Sequence, residues 1–311
     1  MKKISILVTT YNEEENVIPL SEAIIGQFAE FMSEYDYDIL FIDNYSLDNT
    51  RDNIIKLCES NKKIKAIFNS RNFGQSSSGF YGVVNTTGDC TICISADFQD
   101  PVKLMPEFVK FWEEGYKIVL GVKEKSKENP IMRMIRTLYY KILKRMSDVE
   151  QLEHVTGFGL YDKSFIEIMK SFDDPIPFSR GMISEIGLKR KLIPYTQEKR
   201  RSGKSSYNFY RYYDYAMLSF TSYTKVGLRI ATFLGFLVSF LSILSAFAYL
   251  IMKLLYWDRF PAGNIPILLG VFVLGGMQLL FIGLIGEYIM SINLRLMKRP
   301  YVIEERRINF E

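Results

Sequence analysis

Cysteine is scarce in this sequence. Three occur among 311 residues, Cys58, Cys90 and Cys93, and an odd number makes a poor disulfide framework. Cys90 and Cys93 form a C-x-x-C pair inside an apolar, strand-like run, but no second pair completes a zinc site. All three therefore read as core residues of a protein in a reducing compartment. Neither G-x-G-x-x-G nor G-x-x-x-x-G-K-[ST] occurs, which argues against a dinucleotide site or a P-loop. No signal peptide is expected either. Met1 to Thr10 has no apolar segment followed by a cleavage site and reads as a buried strand, so the front of the chain is expected to stay in the cytoplasm. Nor does one charge dominate: the net charge is only +4, so where the basic residues lie matters more than how many there are.

What the sequence does contain is two long runs without a charged side chain, Ile230 to Met252 and Phe260 to Gly286. A membrane-spanning helix needs about 20 apolar residues, so both qualify. A pair of buried core helices is the weaker reading, because both runs are long and evenly apolar. Lys and Arg crowd the stretch from Lys189 to Arg229 and recur at Arg295, Lys298, Arg299, Arg306 and Arg307. Positive residues favour the cytoplasmic side. The expected organisation is a cytoplasmic catalytic domain over residues 1–225, a two-helix transmembrane hairpin over 226–292 and a cytoplasmic tail over 293–311. The expectation is thus a multi-pass protein of the cytoplasmic (inner) membrane with both termini inside. Two segments have the make-up of helices lying at headgroup level, near 130–146 and 205–224. The first sets Ile131, Ile135, Leu138 and Ile142 at helical spacing beside Arg133, Arg136, Lys141, Lys144 and Arg145, and the second holds the aromatic run from Tyr207 to Tyr223. Helices packed on the soluble domain are the alternative for both.

Residues 1 to about 122 alternate strand-like and helical stretches. Strands are expected at Ile4 to Thr9, Tyr37 to Asp43, Ile64 to Asn69 and Cys90 to Ala96. Helices are expected at Glu13 to Glu34, entered through Asn12 as a cap, at Thr50 to Ser60 and at Gln75 to Asn85. This rhythm predicts an α/β fold with a parallel sheet. Ligands of such sheets bind beyond the carboxyl ends of the strands. The polar clusters Thr10-Tyr11-Asn12-Glu13, Asp43-Asn44, Arg71-Asn72 and Asp97-Phe98-Gln99-Asp100 all fall there and are expected to converge on one crevice, a nucleotide site. Asp43 is placed to accept hydrogen bonds from a base edge or from ribose hydroxyls, or else to cap the following turn. Arg71 is placed to offset phosphate charge, or else to be an exposed structural arginine. Asp97 follows the apolar Ile92-Cys93-Ile94 and is placed to hold Mg²⁺ or Mn²⁺ against a diphosphate, with Gln99 adding a carbonyl oxygen. Hard cations take oxygen ligands and often combine few protein carboxylates with the substrate's phosphates.

At these residues the sequence resembles family 2 glycosyltransferases, and within them the polyprenyl-phosphate branch of bactoprenol glucosyltransferases and dolichol-phosphate mannose synthases. Thr10-Tyr11-Asn12-Glu13-Glu14 resembles that family's opening motif, and Asp43-Asn44-Tyr45-Ser46-Leu47-Asp48-Asn49-Thr50 its second nucleotide-binding turn. Arg71-Asn72-Phe73-Gly74 is similar to a third turn, and Ser95-Ala96-Asp97-Phe98-Gln99-Asp100-Pro101 to the metal motif. Arg200-Arg201-Ser202-Gly203-Lys204-Ser205-Ser206-Tyr207 is similar to the basic turn before the membrane part. The resemblance covers nearly the whole chain. It implies a GT-A type nucleotide-sugar domain with a mostly parallel sheet, followed by interfacial amphipathic helices and two transmembrane helices. It implies a donor site at Thr10, Tyr11, Asn12, Glu13, Asp43, Arg71 and Asp97, and a divalent cation on Asp97 and Gln99. The acceptor phosphate would meet Arg133, Arg136, Arg200 and Ser205, so that Asp97, Arg133 and Arg200 would carry the catalysis. Two places depart from the pattern. Ser95 stands where the family usually has Asp, and Gly157 and Gly159 stand where it has an acidic and a basic residue on either side of Phe158.

A phosphate acceptor suits such a site. A sugar hydroxyl needs a general base, whereas a phosphate monoester, with a second pKa of about 6, is largely the dianion at neutral pH. It needs neutralised charge and positioning instead. The expected reaction is metal-dependent hexosyl transfer from a nucleotide-sugar, UDP-linked in preference to GDP-linked, onto undecaprenyl or another polyprenyl phosphate. It would proceed at the cytoplasmic membrane face by inversion without a covalent intermediate, for surface glycan assembly. Relatives imply a homo-oligomer, such as a tetramer, and Gly270, Gly275, Gly276, Gly283 and Gly286 allow close helix contact. His154, the only histidine, either contacts the sugar or phosphate or is structural. Two rival readings stand beside this one. A processive polysaccharide synthase usually carries Gln-x-x-Arg-Trp and more spans, but neither Trp112 nor Trp257 sits in that motif. A scaffold that binds nucleotide-sugar or lipid without turnover is suggested by Ser95 and Gly157. No nucleic-acid partner is expected, because the basic residues flank apolar runs where anionic lipid accounts for them.

Overall fold

The computed structural model describes residues 1–125, 155–172, 179–198, 226–255, 264–296 and 300–310. Two compact units result. One combines the front of the chain with its last residues, and the other holds the two long C-terminal helices.

The first unit is built on one sheet. Its strands are β1 (Lys3–Thr10), β2 (Asp36–Asp43), β3 (Ile64–Asn69), β4 (Cys90–Ser95), β5 (Ile118–Lys125), β6 (Val155–Asp162), β7 (Arg190–Thr196) and β8 (Glu304–Ile308). Their order across the sheet is β7-β5-β6-β4-β1-β2-β3-β8. β1 pairs in parallel with β2 and β4, β2 with β3, and β5 with β7. β6 runs antiparallel between β4 and β5, and β8 antiparallel along β3. The mostly parallel sheet expected from the α/β rhythm is present. β8 falls inside the segment read from the sequence as a tail.

The central strands β1 to β4 are largely apolar because both faces of the sheet are covered there. Ile4, Ile6 and Val8 of β1 face helices α1 (Val17–Phe31), α2 (Thr50–Ser60) and α4 (Met105–Glu113), where Leu20, Ile54, Phe108 and Trp112 close one core. Leu7, Leu40 and Ile42 face the opposite way, onto Phe80 of α3 (Gln75–Val84), Phe165 of α5 (Lys163–Ser171) and Met182 of α6 (Ser179–Ile186). Fully burying each such side chain contributes roughly 1.5–3 kcal/mol. Cys58, Cys90 and Cys93 are free thiols in these layers, as expected of core cysteines, and burial pushes Cys58 and Cys93 up to about 12.

The first helix departs most from its expected limits, ending at Phe31 and not at Glu34 as well as starting late. α1 begins at Val17, not at Glu13, and its cap position is Asn16. Asn12 adopts a left-handed φ of 56° and serves the loop instead, where its short amide side chain tolerates that conformation.

The second unit contains α7 (Val226–Leu255, 30 residues) and α8 (Asn264–Leu296, 33 residues). The first holds the uncharged run Ile230 to Met252, and the second holds Asn264 to Gly286 of the other run. Among the described residues, Leu274–Asn293 of α8 is the stretch long and apolar enough to cross a membrane by length and composition. Large apolar side chains are exposed on both helices, among them Phe233, Phe236, Phe240 and Phe247 of α7 and Leu279, Leu280 and Ile282 of α8.

Candidate active site

β1, β2, β3 and β4 are parallel, so their last residues, Thr10, Asp43, Asn69 and Ser95, emerge on one edge of the sheet. The expected convergence of the polar clusters follows from this topology. Register pairs Thr10 with Asp43 and Thr9 with Ser95.

The loops after β1 and β2 are tied together by hydrogen bonds. Asn12 N–H donates to Ser46 Oγ at 2.9 Å, and Asn12 Oδ1 accepts from Leu47 N–H at 2.9 Å. Glu13 N–H donates to Thr50 Oγ1 at 2.8 Å. Glu14 Oε2 accepts from the backbone and side-chain amides of Asn49 at 2.9 and 2.8 Å. This wiring is why residues 12–16 form a turn and the helix starts late. Glu13 itself is buried and accepts from Asn16 Nδ2 at 2.6 Å, while Tyr11 is half-buried at the rim.

Asp43 anchors the arrangement. It is 0% exposed. Its Oδ2 accepts from Ser46 N–H at 3.0 Å and from Arg51 Nε at 3.1 Å. Its Oδ1 accepts from the Ser46 hydroxyl and, at 3.4 Å, from Thr10 Oγ1. Burial raises its pKa above the ordinary carboxylate value, and the Ser46 and Arg51 hydrogen bonds act against that rise. The carboxylate read from the sequence as an acceptor for base or ribose is thus engaged here by its own loop, which is the turn-capping alternative.

The third cluster joins through asparagines. Asn44 Oδ1 accepts from Asn69 Nδ2 at 3.2 Å and from Phe73 N–H at 2.9 Å, and its Nδ2 donates to Asn72 Oδ1 at 3.1 Å. Arg71 is exposed, its guanidinium 3.9 Å from the centroid of the Phe73 ring.

After β4, Ala96 N–H donates to Thr9 O at 3.3 Å, which holds the Asp97 loop against β1. Asp97 and Gln99 are both half-exposed, and Asp97 Oδ1 accepts from Gln99 N–H at 3.2 Å. Asp100 points the other way, into the protein. It is 4% exposed, with Oδ2 accepting from Ser95 N–H at 3.2 Å and Oδ1 from the Tyr195 hydroxyl at 2.9 Å. Burial raises its pKa, against those two hydrogen bonds and with help from the neighbouring Asp97 charge.

No group of three His, Cys, Asp or Glu able to hold a metal exists among the described residues. Asp97 and Gln99 offer one carboxylate and one amide carbonyl. That donor set is too small for a free cation but fits a Mg²⁺ or Mn²⁺ ion that brings phosphate and water oxygens of its own.

The glycines that replace the usual acidic and basic residues have local reasons. Gly157 has a φ of +96°, open to glycine but not to most side chains. A Cβ on Gly159 would lie 2.3 Å from Val119 O, so β6 approaches β5 too closely for any side chain there. Between them Phe158 is buried against Phe108 and Tyr195, with centroids 4.8 and 5.4 Å away.

Arg133, Arg136, His154, Arg200 and Ser205, and both segments read as interfacial helices, lie outside the described residues. Residues that sequence reasoning did not single out are Arg51, which clasps Asp43, and Tyr195, which holds Asp100 inward, away from the crevice expected for that cluster. Arg51 sits just past the second motif, and its role depends on contacts that spacing does not reveal.

Residues 5–169 match the model for "Glycosyl transferase family 2", just over half of the chain. The chain belongs to that family. A putative glycosyltransferase, CsbB, of Bacillus subtilis is 32% identical over 306 residues, 98% of this chain and 92% of the relative. A bactoprenol glucosyl transferase of Shigella phage SfX is 31% identical over 307 residues, 98% of this chain and 100% of the relative. Among solved structures, residues 1–349 of TarS from S. aureus in complex with UDP-GlcNAc superimpose with a TM-score of 0.47 and 13% identity, over 71% of this chain and 66% of that one. As a family 2 member this chain is a glycosyltransferase with the α/β sheet of the GT-A type.

Proposed function

We propose that this glycosyltransferase moves a single hexose from a nucleotide-sugar, a UDP-sugar in preference to a GDP-sugar, onto undecaprenyl or another polyprenyl phosphate. The transfer takes place at the cytoplasmic face of the membrane and feeds surface glycan assembly. The observation that carries this reading is the half-open Asp97 loop at the parallel strand ends of a chain that aligns end to end with a bactoprenol glucosyl transferase.

The loops after β1, β2 and β3 would receive the donor nucleotide. Tyr11 and Asn12 are accessible at the rim, Arg71 stands exposed to meet phosphate charge, and Thr10, Glu13 and Asp43 hold the loops beneath them. Asp97 and Gln99 would hold Mg²⁺ or Mn²⁺, which when bound supplies Lewis-acid neutralisation of the donor diphosphate. The acceptor phosphate, a dianion without need of a base, would be steered and screened by Arg133, Arg136, Arg200 and Ser205. In-line attack on the anomeric carbon then inverts it, and no covalent enzyme intermediate is required. Positioning and preorganised charge supply the rate.

A membrane location is supported by the exposed apolar side chains of α7 and α8, since soluble proteins rarely expose large contiguous apolar patches. We read both helices as spans, joined as a hairpin, with both termini cytoplasmic, and the protein as a homo-oligomer.

The test is transfer by purified protein given undecaprenyl phosphate, Mn²⁺ or Mg²⁺ and a panel of UDP- and GDP-sugars. A lipid-phosphate sugar that forms with one donor and is lost on chelation is the expected result. Intact nucleotide binding without product from any donor would favour a non-catalytic scaffold instead.

A further inference from the structure

The end of the chain reaches the loop assigned above to the donor nucleotide. β8 lies along β3, with Ala66 opposite Ile308 and Phe68 opposite Arg306. Ser70 N–H donates to Ile303 O at 3.0 Å, and Val302 is buried. From this strand, Glu305 Oε2 accepts from Arg51 Nη2 at 2.8 Å. The same guanidinium donates through Nε to Asp43 Oδ2 at 3.1 Å and through Nη2 to the Asn69 carbonyl at 3.0 Å. Its carbon lies 5.2 Å from the Phe68 ring centroid and 5.5 Å from that of Tyr45. One side chain from the first turn of α2 therefore links the ends of β2, β3 and β8.

The geometry points to Glu305 as a positioning residue: from the C-terminal strand it fixes Arg51, and through Arg51 the Asp43–Thr50 turn that frames the donor nucleotide. Asp43 is buried without exposure, so it depends on Arg51 to offset its charge. Arginine presents a planar fork, and one edge bound to Asp43 leaves the other to be fixed from elsewhere. Glu305 does that from a residue 254 positions away in the chain. Glu305 is itself half in solvent, its side chain 52% exposed, so the pair alone adds little to stability. Its effect is on the order of the turn, and hence on nucleotide affinity.

This inference rests on the donor-site reading, and one experiment separates the two. The full chain in detergent is titrated with UDP and with GDP in the presence of Mn²⁺ by calorimetry, as wild type, Glu305→Gln, Glu305→Ala and Arg51→Ala. Donor KM and kcat are measured alongside. Glu305→Ala is expected to weaken nucleoside diphosphate binding and raise donor KM by about 3-fold, the scale of a half-exposed ion pair, with kcat and melting temperature unchanged. Glu305→Gln keeps a carbonyl acceptor for Arg51 and should fall between Ala and wild type. Arg51→Ala should weaken binding further and also lower the melting temperature. A wild-type protein that binds neither nucleotide would overturn the donor-site reading and this inference with it. Wild-type binding that both Glu305 variants match would overturn the positioning role alone.

Discussion

Asp97 and Asp100 are three positions apart and chemically opposite. Asp97 stands half-open at the rim, and Asp100 is buried between Ser95 N–H and the Tyr195 hydroxyl. Asn in place of Asp97 keeps an oxygen for the Gln99 N–H but loses the charge. Transfer should therefore fall by about 100-fold or more, the usual scale for removing one electrostatic element of an active site, with the melting temperature unchanged. Full activity in Asp97→Asn would remove this residue from the chemistry. Asp100 is expected to show itself through pH. Its pKa is raised above 3.8 in the folded protein, chiefly by burial. A carboxyl that holds its proton more tightly when folded contributes its full stability below the unfolded value and loses it as pH rises through the folded one. Asp100→Asn removes that titration, and the raised Asp43 is common to both proteins and cancels. The melting temperature of wild type relative to Asp100→Asn should thus be highest near pH ~4 and fall by pH ~7; a difference that grows with pH would contradict the burial argument. The sequence made the Asp97 cluster visible because a carboxylate after an apolar strand stands out. It did not distinguish the two aspartates, since one faces solvent and the other Tyr195 from a distant strand.

At the scale of elements, the first four strands and the helices between them were legible because each is a buried apolar run closed by a polar turn. α2 and β3 have the expected limits, Thr50–Ser60 and Ile64–Asn69. α1 was misjudged at its start because Asn12 and Glu13 bond to the Ser46–Thr50 loop, a long-range tie that overrides a local capping signal. β8 was not legible at all. Its residues, Glu304 to Ile308, carry four charges before one apolar side chain, as suits an edge strand protected from further pairing. The residue after the strand is Asn309, whose φ is 60° and whose Nδ2 donates to Cys58 O at 2.8 Å and Ile64 O at 2.7 Å. Asn309→Ala should cost about 2–3 kcal/mol, from two net hydrogen bonds and a left-handed alanine. Asn309→Gly should recover roughly 1 kcal/mol of that, because glycine accepts the backbone angle. Denaturant melts of the three proteins read both effects, and equal losses for Ala and Gly would show that the backbone angle costs nothing here.

For the whole molecule the deciding constraint is where the chain returns. β1 to β7 precede the two long helices and β8 follows them, yet all belong to one sheet. A sheet cannot be divided by a bilayer, so the segment between β7 and β8 must cross the membrane an even number of times. If Leu274–Asn293 of α8 spans, a second crossing is required, and α7 carries the other long uncharged run, Ile230 to Met252. Helices of 30 and 33 residues rise about 45 and 50 Å at 1.5 Å per residue, longer than the roughly 30 Å hydrocarbon core. The parity argument agrees with the distribution of basic residues, which favours the same side for both flanks. Topology reporters test it directly. Fluorescent protein fused after Glu311 should fluoresce and alkaline phosphatase there should be inactive, while alkaline phosphatase inserted after Trp257, between the two helices, should be active. An inactive reporter at Trp257 in protein that resists carbonate extraction would mean that both helices lie on one side of the bilayer. The even count would then be zero, and the apolar side chains of α7 and α8 would be buried in the interface without crossing it.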